Sequence, residues 1–235
     1  MNGERRIRIL AALAEGRDGE ATGPRLCQVC KNVTGMTGAG IMLMSGELPL
    51  GSVCTTGGVS ALIEDLQYTL GEGPCVDAYQ LDRPVLEPDL AHPAEPRWLA
   101  FSRPAVEAGV RAIYGFPMAI GSVRLGALNL YADRPGPLTD DQHADALAMA
   151  DVAAEAVLAM QAGCDTGVLA TELEKGSNFQ YVVHQAAGMV SAQLDVSVAQ
   201  ALVRIRAHAF ANQRVLGDVA AEVVARELRF GERDR

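Results

Sequence analysis

Apolar positions recur along this chain with two periods, and the change of period divides it. Residues 4–15 and 22–34 have helical spacing, the first behind a basic start at Arg5-Arg6. "AGIMLMSG" (39–46) and "LGSVCTTG" (50–57) read as short strands about a turn at Gly46-Glu47-Leu48-Pro49. "VSALIEDLQYTLGEGPCVDAYQ" predicts a helix, a glycine-proline turn and a second short helix; "RPVLEPDL" predicts a short strand. "RWLAFSRPAVEAG" is helical in pattern, with Pro104 interrupting it. "VRAIYGFPMAI" and "VRLGALNLYA" form a strand pair about Gly121-Ser122. Their apolar residues fall on both faces, so both faces of that sheet are expected to be covered.

Thr139 to Gln142 is a T-x-x-Q capping box that opens a long helix over about 140–162. From Ala144 to Met160 it is apolar nearly all round, apart from Asp145, Asp151 and Glu155. A surface helix shows one apolar stripe, and this one has two. Either the helix lies in a core between a sheet and other helices, or its second face meets another subunit. The dimer reading is preferred, because the helix leads out of the domain. "GCDTG" (163–167) and "EKGSN" (174–178) mark a linker. Beyond it, Phe179, Val182, Val183, Ala186 and Val190 share one helical face. Ser197 to Gln200 is a second capping box, followed by the stripe Val198, Ala201, Leu202, Ile205 and Ala209. After a break at "NQRVLGD", with Asp218 as the expected cap, Val219, Ala220, Val223, Val224 and Leu228 make a third stripe. These three short amphipathic helices predict a small bundle, marginal in stability at about 50 residues.

Charge sharpens the division. The net charge is −9, which argues against a nucleic-acid-binding chain as a whole. Residues 1–175 hold 13 basic and 23 acidic side chains, whereas residues 176–235 hold 7 and 6. The tail is a separate, near-neutral electrostatic unit. No apolar run approaches the roughly 18 residues of a membrane span, and the N-terminus lacks a secretory apolar core, so a soluble, cytoplasmic protein is expected. Five widely spread cysteines argue against a disulfide framework. Cys27 and Cys30 form a lone C-x-x-C without a second pair or nearby histidines, and are expected to be small buried apolar residues rather than metal ligands.

Catalytic patterns are lacking. His92, His143, His184 and His208 stand outside metal spacing, and there is neither a G-x-S-x-G elbow nor a phosphate-binding lysine motif. No catalytic residue, metal or cofactor is assigned, and the chain is not expected to be an enzyme.

The stretches "LGEGPCVDAYQLDRPVLEPDL" and "YGFPMAIGSVRLGALNLYAD" resemble a GAF domain, in an order that covers roughly residues 3–162. That resemblance implies an α+β fold, a six-stranded antiparallel sheet with helices on both sides, used for small-molecule sensing and dimerisation. It places a ligand pocket around Leu70, Cys75, Tyr79, Trp98 and Phe101, where no residue announces a haem, a bilin or a cyclic nucleotide. Cys75 is a chromophore or redox thiol only as the lesser alternative to a buried small residue.

"HQAAGMV…SVAQALVRIRAHAFANQRVLGDVAAEVV" resembles an ANTAR domain over about residues 176–230, the bundle proper spanning 179–230 after a linker at 163–178. The resemblance implies an all-α three-helix module that binds RNA hairpins in nascent transcripts, prevents termination, and acts as a homodimer under an attached sensor. The expected RNA contacts are Gly188, with Tyr181 and Gln185 on the same helical face, and the nearby cations Arg204, Arg206 and Arg214, of which Arg206 matches the family pattern. A mid-helix glycine costs about 1 kcal/mol relative to alanine. Gly188 therefore invites close approach, either by RNA or by packing against the second helix. The family often carries lysine just before this glycine, and here Ala187 stands in its place. Fewer cations predict weaker, less salt-dependent binding. The alternative is that the bundle dimerises the chain or docks a protein, with little or no RNA binding.

Overall fold

The computed structural model describes residues 2–15, 22–45, 48–163, 178–212 and 214–231. It divides into two compact units, Met1–Leu169 and Ala170–Arg235. The expected linker lies largely outside the described residues.

In the first unit, helices α1 (Asn2–Ala14) and α2 (Thr22–Thr34) precede strands β1 (Gly38–Ser45) and β2 (Leu48–Thr55). Helices α3 (Val59–Leu70) and α4 (Pro74–Leu81), strand β3 (Val85–Glu87) and the short helix α5 (Ser102–Glu107) follow. Strands β4 (Ala112–Ile120) and β5 (Val123–Ala132) lead into α6 (Asp140–Gly163). The strands form one antiparallel sheet in the order β2-β1-β5-β4-β3. It has five strands among the described residues, not six. Pro104 does not interrupt a helix: α5 begins at Ser102, so Pro104 sits in the first turn, where its missing N–H costs nothing.

Strand alternation sends the two faces of the sheet into two cores, as the doubly apolar strands predict. Ala39, Ile41 and Leu43 of β1, with Tyr114, Phe116, Leu128 and Leu130, pack against α1, α2 and α6. Ile113, Ala127 and Tyr131 face the other way, toward α3, α4, α5 and the segment 88–101.

The capping box of α6 forms, with Thr139 Oγ1 accepting from Gln142 N and Gln142 Oε1 accepting from Thr139 N. One side of α6 is covered within the chain by the sheet, α1 and α2. Asp145 is buried and accepts from Arg5 and Arg8 at 2.6 Å, and Glu155 pairs with Arg6, which explains the basic start of α1. Much of the apolar surface of α6 is thus buried within the chain, and Leu147 and Leu158 are exposed on it.

The second unit contains α7 (Asn178–Leu194), α8 (Val198–Ala211) and α9 (Leu216–Val224). Its core is made of Val183, Ala186, Ala187, Val190, Leu202, Ile205, Val219, Ala220 and Val223, all fully buried. The Ser197–Gln200 capping box forms as expected. Asp218 is not the cap of α9: Val215 holds that position, and Asp218 lies in the first turn, where its charge favours the helix dipole. No single helix among the described residues is long and apolar enough to cross a membrane.

Candidate functional site

The sheet face beneath α3 and α4 carries polar groups deep in the first unit. Helix α3 turns Glu64 and Gln67, one turn apart, inward rather than to solvent. Asn129 Nδ2 on β5 donates to Glu64 Oε1 at 3.0 Å, and the Cys75 backbone N–H donates to Gln67 Oε1 at 2.8 Å. Glu64 Oε2, Gln67 Nε2 and Asn129 Oδ1 are buried without a protein partner. Burial pushes the Glu64 carboxyl up to about 8, against the hydrogen bond from Asn129. It therefore holds its proton at neutral pH and offers a donor at Oε2. Burial, and then the neighbouring Glu64, push the Cys75 thiol up as well. Glycines in the sheet let the helices approach it. A Cβ at Gly40 would stand 2.5 Å from Glu64 Oε1, and one at Gly115 would overlap the Pro74 carbonyl.

The "GEGP" turn has a defined task. Gly71 ends α3 in a left-handed conformation, and Pro74 starts α4. Between them, the Glu72 carboxylate accepts the backbone N–H groups of Ala100 and Phe101 at 2.7 and 2.8 Å. Trp98 Nε1 donates to Asp77 Oδ2 at 2.9 Å, and the Arg97 guanidinium lies over the Trp98 ring at 4.6 Å. The segment 88–101 is thus strapped across α3 and α4. Of the five predicted pocket residues, Cys75, Trp98 and Phe101 meet in one buried cluster with Leu70 packed at its edge; Trp98 and Phe101 stack edge to face. Tyr79 lies outside that cluster, its ring beneath Arg124 at 5.1 Å. On the outer side of the strap, Leu90, Pro93, Pro96, Trp98, Leu99 and Val106 line a cleft of about 490 Å³.

Sequence reading missed Glu64, Gln67 and Asn129. Glu64-Asp65 reads as a solvated pair, and only the fold turns one of the two inward. It also missed a disulfide. Cys27 is bonded to Cys54 on β2, so the C-x-x-C expectation holds only for Cys30, a buried free thiol. Nothing in the spacing of Cys27 and Cys54 signals that pairing. Among the described residues no cluster of three or more His, Cys, Asp or Glu could hold a metal.

In the second unit, Gln185 and Gly188 are exposed on one face of α7. A Cβ at Gly188 would meet nothing within 4 Å, so this glycine does not serve packing against the second helix. The side chain of Tyr181 lies outside the described residues. Arg204 and Arg206 are partly buried on α8. Arg214 makes a two-pronged ion pair with Glu222, which holds the Glu222 carboxyl below its usual range.

An antiparallel sheet with a helical layer on each face defines an α+β domain. A family model described as GAF domain matches residues 17–158, more than half of the chain, and the chain belongs to the GAF-domain family. Its GAF domain ties it to signal sensing or signal transduction. Solved structures share the fold. One is the GAF domain of a phosphoenolpyruvate-protein phosphotransferase from Coxiella burnetii (TM-score 0.50, 14% identity, 68% of this chain and 95% of that one). Another is a free methionine-R-sulfoxide reductase from Neisseria meningitidis (TM-score 0.50, 16% identity, 69% and 92%). A third is a domain from Sinorhizobium meliloti 1021 described as part of a two-component sensor histidine kinase (TM-score 0.50, 17% identity, 63% and 95%). A search of curated proteins finds no match.

Proposed function

We propose that this protein is a signal-responsive transcription antitermination regulator. In this reading the GAF domain (3–162) is the sensor, residues 163–178 are a linker, and residues 179–230 are an ANTAR-like module that binds RNA hairpins in nascent transcripts. It acts in the cytoplasm as a homodimer and is not an enzyme. The observation that carries the reading is the open face of α7. Gly188 is exposed, a Cβ there would meet nothing within 4 Å among the described residues, and Gln185 lies beside it. Glycine at an open helical position carries a cost that packing within the chain does not offset, as a surface shaped for an approaching backbone would. RNA loops are read by such hydrogen-bonding edges together with stacking and backbone contacts.

The departure at Ala187 weighs less than the sequence implies. Ala187 is fully buried in the bundle core, so a lysine there would have to reach out of an apolar interface to meet phosphate. Arg204, Arg206 and Arg214 are the cations assigned to the RNA, and Arg214 is held in an ion pair with Glu222. The test is binding of tandem-hairpin RNA by the full chain at low salt. Binding that weakens at least about tenfold in Arg206→Ala supports the reading, and binding that is absent or indifferent to Arg206→Ala sinks it.

The sensor input is assigned to the cluster of Leu70, Cys75, Trp98 and Phe101, with Tyr79 at its margin. Trp98 is the chain's single tryptophan, so its fluorescence reports on ligands entering beneath the strap. A second reading has its own observation. Val203, Phe210 and Val215 are each more than 60% exposed, an apolar surface suited to a second copy or a protein partner. Light scattering on the chain with and without residues 176–235 separates the two, since loss of the dimer with those residues favours the second.

A further inference from the structure

The first unit holds a thiol pair that the sensor reading does not use. Cys27 on α2 and Cys54 on β2 are joined by a disulfide, with their Cα atoms 6.0 Å apart. Strand β2 is an edge strand, bonded on one side only. Its pairing with β1 is shifted between Ile41 and Met42 and again between Leu43 and Met44. The two shifts bend the strand and interrupt its ladder locally, and the sulfur bridge ties it covalently to the helical layer. Near the same place α2 approaches β2 closely enough that a Cβ at Gly23 would stand 3.3 Å from the Val53 carbonyl. Helix α2 is itself built into the layer. The Arg25 guanidinium donates to the carbonyls of Ala12 and Leu13 at the end of α1, and α2 packs against α6. The bridge therefore sits at one end of a packed series, β2 to α2 to α6, and α6 is the last described helix of the unit.

The other described thiols are silent. Cys30, one turn from Cys27, and Cys75 are both fully buried, and burial pushes each thiol well above its ordinary range. They stay protonated and are poor nucleophiles. Cys54 is the more accessible sulfur of the bridge, 7% exposed against 0% for Cys27. Among the described residues this is a lone bridge, with the unpaired Cys30 in the same core and Cys75 in the core on the other face of the sheet, which fits a redox-responsive pair better than a disulfide framework.

We propose that Cys27–Cys54 is a redox input of the GAF unit, opened by a dithiol reductant and reclosed by a hydroperoxide. In reduction, a reductant thiolate attacks Cys54 Sγ, the S–S bond breaks, and Cys27 leaves as a thiolate that takes up a proton. The second thiol of the reductant then releases Cys54 and becomes the disulfide. In oxidation, the Cys54 thiolate takes the terminal oxygen of the hydroperoxide to become a sulfenic acid, and the alcohol or water departs. The Cys27 thiolate attacks that sulfur, expelling hydroxide, which leaves as water, and the bridge reforms. Opening frees the bulged edge strand from α2 and loosens the layer that supports α6.

The experiment uses the full chain, poised in dithiothreitol buffers of varied reduced-to-oxidised ratio, then freed of dithiol and treated with hydrogen peroxide. Differential alkylation with peptide mapping reads the thiols. Hydrogen exchange and melting read the fold. The expected result is a Cys27–Cys54-linked peptide after peroxide and both residues alkylated in reducing buffer, with Cys30 and Cys75 unlinked throughout. The reduced protein should exchange roughly tenfold faster in β2 and α2 and melt roughly 5–10 °C lower. Cys54→Ser should behave as reduced wild type in every buffer. A bridge that resists excess dithiothreitol in the native state, a pair that stays free under peroxide, or equal exchange and melting in both states overturns the proposal. If Cys54→Ser does not fold, the wild-type measurements decide alone.

Discussion

Two regions of this molecule use glycine in opposite ways. On the sheet beneath α3 and α4, glycines are demanded by their neighbours: a side chain at Gly115 would overlap the Pro74 carbonyl, and one at Gly40 would press on Glu64. On α7, Gly188 has nothing near it and faces outward. The first pattern belongs to an interior closed so tightly that the groups inside, Glu64, Gln67 and Asn129, are held in fixed relation. The second belongs to a surface whose shape has no purpose within its own chain. Glycine content alone does not separate these cases; the surroundings do.

The sharpest way to break the comparison is Gly115→Ala. The clash is with backbone, which cannot rotate away, so a loss of about 3 kcal/mol or failure to fold is expected in denaturant titration. A melt close to wild type would mean that α4 does not sit on the sheet as described.

Glu64 gives the next largest effect. Its carboxyl is raised from the ordinary 4.5 to about 8 in the folded protein. The native state then binds more protons than the unfolded chain between those values. The Glu64 contribution is full below about pH 4.5 and is lost as pH rises through about 8, on the order of a few kcal/mol across the window. Glu64→Gln keeps the hydrogen-bonding shape without an ionisable proton. It should flatten this part of the stability–pH curve while changing stability little at low pH. An unaltered slope would show that Glu64 is ionised and paired by some other means.

Gly188→Ala should do the opposite of Gly115→Ala. With open space around the Cβ and a helical backbone, it should stabilise the C-terminal unit by up to about 1 kcal/mol. Under the proposed function it should weaken RNA binding at the same time. A variant that is more stable and binds hairpin RNA as well as wild type would remove Gly188 from the site.

The smallest effect is expected of Arg214→Ala. The ion pair with Glu222 is about one-third exposed on each side, so a melting shift within about 2 °C, vanishing at high salt, is expected. Under the proposed function RNA binding should fall only modestly, because Glu222 already holds this guanidinium.

Much of the architecture was legible in the residues. Both capping boxes, Thr139–Gln142 and Ser197–Gln200, form where the spacing puts them, because a cap is satisfied within four residues. The strand pair about Gly121-Ser122 and the helix-turn-helix at "GEGP" are equally local. Pro104 and Asp218 misled for a related reason: each residue does tolerate a helix start, and only the observed boundary shows which position it takes. The proximity of the candidate pocket residues was legible in part. Cys75, Trp98 and Phe101 converge, but Tyr79 points to Arg124, since its direction depends on where β5 runs beside α4.

Local pattern by itself thus determined most of the helices and strands, the two capping boxes and the division of the chain into an α+β unit and a three-helix tail. Periodicity, turn chemistry and capping act between near neighbours, and a chain carries them wherever it folds. Only the tertiary structure decided that Glu64 is buried and Asp65 less so, that Cys27 pairs with Cys54 rather than standing beside Cys30 as a second free thiol, and that Gly188 faces open space while Ala187 faces the core. Each of these depends on what residues distant in sequence bring alongside, and burial, pairing and proton affinity follow from that company rather than from the residue itself.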